Sequence, residues 1–208
     1  MLKLNTPNYI FINKLFYQIK SYFEMLQPQN LIRLCLDLNI WCASLLSDRK
    51  GKENSSSQSL VTIIRQGYCE IGLVQLIISW GMINRLRSVL EEQLSIPIPL
   101  VDSYLSAIIS YTQLGSIYAS PQLTLGGTGV VAIRDEEDAH VLETALAGKA
   151  DVLVTVNFKD FISNDTRIIQ PARHLIYTAP NHTFHIIHPD LMMEWLRQGN
   201  IPDLDNFK

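Results

Sequence analysis

The chain has 208 residues, 47% hydrophobic and 18% charged, which is enough apolar material to bury the core of one globular α/β domain with appendages. A formal net charge of -3 removes bulk electrostatics as an argument for nucleic-acid binding and leaves only a local basic face. No apolar run reaches the roughly 18 residues that a membrane span needs, and Cys35, Cys42 and Cys69 form no C-x-x-C pair, which points to a reducing, cytoplasmic setting.

Residues 1–30 read as an N-terminal extension. Ile10, Phe11, Ile12, Leu15, Phe16 and Tyr17 are interrupted by Asn13, Lys14 and Lys20, unlike the apolar stretch and cleavage site of a signal peptide. The spacing suits a short basic amphipathic helix. Surface docking, an extra helix covering the domain and a reading frame that begins at Met25 all fit that pattern.

Residues 34–39 predict a buried strand, short and apolar, ending in Asp37 and Asn39. A helix is expected from Ile40 to Leu46, then a polar loop over 47–57 in which a serine caps the next helix. Leu60, Ile63, Ile64 and Ile71 give that helix its apolar positions. Leu73 to Ser79 reads as the second strand. Trp80 to Leu94 follows as an amphipathic helix with Ile83, Leu86, Leu90 and Leu94 on one stripe, broken by Pro97 and Pro99. Another helix is expected over 100–118. Gly126-Gly127-Thr128-Gly129 lacks a phosphate-loop spacing and reads as a turn into the strand-like run 130–133.

Asp135 opens the next helix as its cap, and Leu142, Ala145 and Leu146 form the buried stripe. Asp138 shares that stripe, because 138, 142 and 145 are spaced by four and three. Its carboxylate is therefore expected on the inward face, at the positive end of the helix dipole. Asp151–Val156 is the third strand, followed by a turn and short helix through Phe161. His174–Tyr177 is the expected last strand. A tail over 181–208 holds one short helix, Pro189 to Arg197, ended by Gly199. Alternating strands and helices over 31–180 imply a parallel sheet with right-handed crossovers.

Carboxylates and amides fall at the ends of these elements: Asp37 after the first strand, Asp135 and Asp138 at a helix start, Asn157 and Asp160 after the third strand. In an open α/β sheet such ends share one edge, where ligands bind. Carboxylates gathered there without matching cations are the usual means of holding Mg²⁺ or Mn²⁺. By contrast, His182 and His185 point to opposite faces of an extended segment, and with His188 they make a poor zinc site. The basic residues are scattered along the chain.

The stretches Leu36-Asp37-Leu38-Asn39-Ile40, Asp135-x-x-Asp138-x-x-x-Leu142-x-x-Ala145 and Ala150–Phe161 resemble a PIN domain, over roughly residues 32 to 178. That resemblance implies a three-layer α/β/α fold with a central parallel sheet of about five strands. It also implies a metal-dependent endoribonuclease that leaves 5′-phosphate and 3′-hydroxyl ends. Asp37 and Asp138 would hold the Mg²⁺ or Mn²⁺, Asp135 and Asp160 would assist, and Asn157 would hold a water of the ion. Asn39 matches the organising amide, and Ser79 matches the small hydroxyl residue ahead of the middle helix. Single-stranded RNA is the implied substrate. The family includes toxins of bacterial toxin–antitoxin pairs, so a small antitoxin over the cleft and a homodimer are implied partners.

Two departures bear on this. Many members carry a Glu on the middle helix, where this chain has Asn84 and Arg85, and Glu91 and Glu92 lie roughly 9–10 Å further along the axis. The last acid is softened to Asn157. Arg85 would either contact a substrate phosphate or pair with Asp138 and shut the site. The alternative reading is a catalytically degenerate PIN-like module that binds RNA or a protein. A nucleotide-binding Rossmann protein is disfavoured by the missing glycine fingerprint.

Overall fold

The computed structural model describes residues 30–115, 123–124 and 136–207, with 123–124 and 136–139 described by backbone alone. The expectations for the N-terminal extension, the 126–129 turn, the 130–133 strand and Asp135 lie outside the described residues.

Strand β1 (Leu31–Leu36) pairs in parallel with β3 (Gly72–Ser79) on one side and β5 (Val152–Val154) on the other, and β5 pairs in parallel with β8 (His182–Ile187). A short β4 (Leu123–Thr124) adds a further parallel pairing to the end of β3, and β2 (Tyr68–Cys69) folds back on its start. Leu34, Cys35 and Leu36 are all buried, as are 74–79. Neighbouring residues on a strand face opposite ways, so consecutive burial means that both faces are covered. The fold is a three-layer α/β/α, with five parallel strands at its centre.

Six helices are described: α1 (Leu38–Arg49), α2 (Ser56–Gln66), α3 (Trp80–Ser88), α4 (Ile98–Tyr111), α5 (Glu136–Ala147) and α6 (Pro189–Gln198). The serine that caps α2 is Ser55, whose Oγ accepts from the Gln58 amide while Gln58 Oε1 accepts from the Ser55 amide. Ile71 belongs to the following turn, because α2 ends at Gly67 in the left-handed region.

The middle helix is shorter than its stripe suggests. After Ser88 it passes into one π-helical turn, Val89–Gln93, in which Leu94 N donates to Val89 O. Pro99 lies in the first turn of α4, where its missing N–H costs nothing, and α4 ends at Tyr111 rather than 118. There Thr112 Oγ1 donates back to Ile109 O, and Gly115 turns the chain at positive φ.

The chain after 161 departs most from expectation. Residues His182–Ile187 are not a tail; they form β8, seated between β5 and β7 (His174–Ala179). The sheet is mixed: β6 (Thr166–Gln170), β7 and β8 form an antiparallel meander at one side. Only two residues, Pro180 and Asn181, join β7 to β8, and so short a link permits a hairpin and no parallel crossover. Cys35 is buried as expected, whereas Cys69 is only half-buried.

Candidate active site

The parallel pairing brings three strand ends to one rim. Cys35 lies opposite Ile77 and Leu36 opposite Val154, so Asp37 emerges level with Ser79 on one side and Thr155 on the other. Asp37 caps α1 and is 5% exposed. Its Oδ1 accepts from the Leu38 amide at 2.6 Å; its Oδ2 accepts from Asn39 Nδ2 at 2.5 Å and from the Thr155 hydroxyl at 2.6 Å. Thr155 Oγ1 in turn accepts from Asn39 Nδ2 at 3.2 Å and from the Asn157 amide at 2.9 Å. Thr155 is therefore the hub joining the first and third strand ends. Sequence reasoning passed over it as a strand residue, although its place one step beyond the last β5 residue, level with Asp37, was the available signal.

Burial pushes the Asp37 carboxyl above the usual carboxylate range, against the opposing pull of its bonds from Thr155, Leu38 and Asn39. The negative charge of Asp160 adds to the upward shift. Among the described residues no lysine or arginine pairs with Asp37. Asp160 stands in the 3₁₀ turn Phe158–Phe161, where Asn157 Nδ2 donates to its Oδ2. Asn157 and Asp160 thus act as a unit next to Asp37. Asn39 is set differently: one end of its amide serves Asp37 and Thr155, while its buried Oδ1 has no hydrogen-bond partner among the described residues.

Ser79 is fully buried and caps α3 by accepting from the Met82 amide at 3.2 Å. Thr144 Oγ1, on α5, lies 2.9 Å from Ser79 Oγ and 2.7 Å from His140 O, which ties α5 to the end of β3. Just past the end of α5, Gly148 leaves room for Ile77; a Cβ there would run into the isoleucine side chain. Ser79 is thus a structural anchor for the site. From α5, His140 and Val141 line a cleft of about 290 Å³ together with Leu38, the neighbour of Asp37, and Met82, Asn84 and Arg85. Asp138 occupies the first turn of α5, two residues before His140. Asp135 and the side chain of Asp138 lie outside what the structure describes.

Glu91 takes no part here. It accepts from Arg87 at 3.0 Å, and Arg87 also reaches Asp102 at 2.7 Å. The three C-terminal histidines serve separate ends: His182 meets Ala150 O, His185 meets His174, and His188 caps α6.

A buried carboxylate at the carboxyl edge of a parallel sheet, cross-linked to both neighbouring strands and backed by a second carboxylate, defines an α/β protein with a site for hard, oxygen-seeking ligands. A family model described as the PIN domain matches residues 33–159, from within β1 to Lys159, one residue short of Asp160, and the chain belongs to that family of nucleases. No curated protein matches it. The family generally uses divalent metal ions. Among the described residues no group of three or more His, Cys, Asp or Glu side chains could hold one. The donors that are described fit such an ion in kind: Asp37 and Asp160 supply carboxylate oxygens, and Asn39 leaves an acceptor oxygen unsatisfied beside them.

Proposed function

We propose that this protein is a metal-dependent endoribonuclease. The observation that carries the reading is Asp37: a buried carboxylate, over-supplied with donors, raised in pKa and facing a second carboxylate with no described cation between them. A buried charge of that kind is costly unless a cation completes it. Asp37 and Asp138 would hold Mg²⁺ or Mn²⁺, and Asp135 and Asp160 would assist. The ion, when bound, supplies charge neutralisation at the scissile phosphate and an acidified water. The chain's own groups do the rest. Leu38, Asn39 and Thr155 fix the Asp37 carboxylate in one orientation, and Asn157 with Asp160 orients the attacking water. Cleavage leaves 5′-phosphate and 3′-hydroxyl ends. A toxin role, with an antitoxin covering the cleft, and a homodimer belong to the same proposal.

The test is cleavage of a mixed single-stranded RNA by purified protein with Mn²⁺, beside Asp37→Asn and Asp138→Asn. Loss of cleavage in both variants, with 5′-phosphate ends in the wild-type products, supports the enzyme. Equal cleavage by all three proteins identifies a contaminant and overturns it. One observation favours a second reading, a binding module without turnover: Arg85 lines the cleft on the helix where other members of the family carry an acid. Under that reading RNA is retained by the wild type and never cut.

A further inference from the structure

The 3₁₀ turn after β5 presents three unlike faces. In such a helix side chains three residues apart eclipse one another, and neighbours are set about 120° apart. Phe158 and Phe161 are buried and pack into the core. Asn157 and Asp160 are bonded to each other on the side of Asp37: the Asn157 backbone amide donates to Thr155 Oγ1, which in turn donates to the Asp37 carboxylate, and the charge of Asp160 is felt there. Lys159 takes the remaining face. It is exposed, and so are Val156 just before the turn and Ile162 just after it, at 51% and 53%. Among the described residues no carboxylate pairs with Lys159. Asp160 is next to it in sequence, but adjacent residues of a 3₁₀ turn face apart, and Val156 and Ile162 bring no charge to compete. An ammonium without a partner therefore stands on the flank of an acidic rim.

We propose that Lys159 holds the phosphate of single-stranded RNA that neighbours the one being cut, and so sets the register of the strand on the rim. The inference rests on the ribonuclease reading for its substrate. A polyanion brought up to Asp37 and Asp160 meets like charge at close range. A cation beside them offsets that repulsion and leaves the acids themselves free. Arg85, in the cleft beside Leu38, is already engaged within the chain. A compact ammonium on a flexible four-carbon stem acts on a phosphate as a point charge and reads no base. Its contact is with a phosphate that does not react, so it contributes equally before and during cleavage. Its loss falls on KM and spares kcat.

The experiment reads binding and turnover separately. For binding, a short fluorescein-labelled unstructured RNA is titrated into the full chain carrying Asp37→Asn, in EDTA, and anisotropy is followed at several salt concentrations. Lys159→Ala in that background lowers the salt slope by about 0.7, the share of one single-strand phosphate, and Lys159→Arg keeps it. Lys52→Ala is the control: the 12 residues of α1 lead away from the rim before Lys52 is reached, over roughly 18 Å, so its slope is that of the parent. For turnover, with Asp37 intact and Mn²⁺ present, Lys159→Ala raises KM about tenfold, as expected for one charge-assisted bond. In that variant kcat, the melting temperature and its rise with Mn²⁺ stay as in the wild type. An unchanged salt slope in Lys159→Ala overturns the proposal, as does an equal loss in Lys52→Ala. A fall in kcat and in the Mn²⁺ response in place of the rise in KM also overturns it, and so does a parent protein that binds no RNA. The nuclease reading fails separately, by absence of Asp37-dependent cleavage with Mn²⁺, and a Lys159-dependent salt slope would survive that failure.

Discussion

Asp37 is held in a conflict that its neighbours only half resolve. Three donors favour its ionised form, whereas burial and Asp160 oppose it, and the net result is a raised pKa. A folded-state pKa above the unfolded value means that the group adds stability below the unfolded value, and that this is lost as pH rises through the folded one. Metal-free protein is therefore expected to give up stability at Asp37 on going from acid to neutral pH, and a divalent cation restores it. Thermal melts should show Mn²⁺ raising the melting temperature more at neutral than at acid pH. At about a hundred times its dissociation constant the ion adds about 2.7 kcal/mol. Asp37→Asn should abolish the Mn²⁺ response. Thr155 is the second test at this scale. Thr155→Val removes the donor to Asp37 and leaves the Asn157 amide without its acceptor. A buried group left unpaired costs about 1–3 kcal/mol. Urea melts should show that loss, and the pKa of Asp37, read by NMR, should move further up.

At the scale of elements, the placement of α5 decides whether the site exists. It is fixed against the end of β3 because Thr144 meets Ser79 and because Gly148, just past its end, lets the helix close onto Ile77. Gly148→Ala is expected to cost about 1–3 kcal/mol by overpacking, measured as a shift in the denaturation midpoint, and to weaken Mn²⁺ stabilisation as α5 is pushed off the sheet. The sequence carried much of this geometry. Leu34 to Leu36 is an apolar run and Leu73 to Ile78 is broken only by Gln75, a pattern that suits a short strand covered on both faces, so Asp37 and Ser79 are legible as strand ends in the sequence. Three features were illegible for physical reasons. The π turn after Ser88 keeps the apolar stripe while changing the hydrogen-bond register, so periodicity does not report it. His182-Thr183-Phe184-His185 is mostly polar and suits an exposed segment, because the polarity of His185 hides its burial; bonds to His174 and to Pro202 O make that burial tolerable. Thr155 looked like an ordinary β-branched strand residue, and its role appears only when β1 and β5 are set in register.

Across the whole molecule, the C-terminal segment is fastened by a buried histidine relay. His185 Nε2 lies 3.0 Å from Pro202 O, and a carbonyl only accepts, so that nitrogen carries the proton. In the neutral ring His185 Nδ1 then accepts from His174 Nε2 at 2.9 Å, with the edges of Trp195 and Phe207 packed around both rings. Burial lowers the pKa of His174 to about 4, helped by His185 and Arg167; burial also lowers that of His185, against the pull of Pro202 and Asp203. The unfolded chain binds more protons than the native one between the ordinary value of 6.5 and about 4, so stability falls with falling pH across that window. His174 alone accounts for up to about 3 kcal/mol of the loss. Acid titration of the melting temperature should show the decline, and His174→Gln should flatten it. The same region bears on how the protein is made. β8 is an interior strand supplied late in the chain, and until residues 182–187 have left the ribosome β5 lacks one of its two flanking partners. The rim around Asp37 therefore reaches its full set of flanking strands only once residues 182–187 have joined the sheet, well after β1, β3 and β5 have been made.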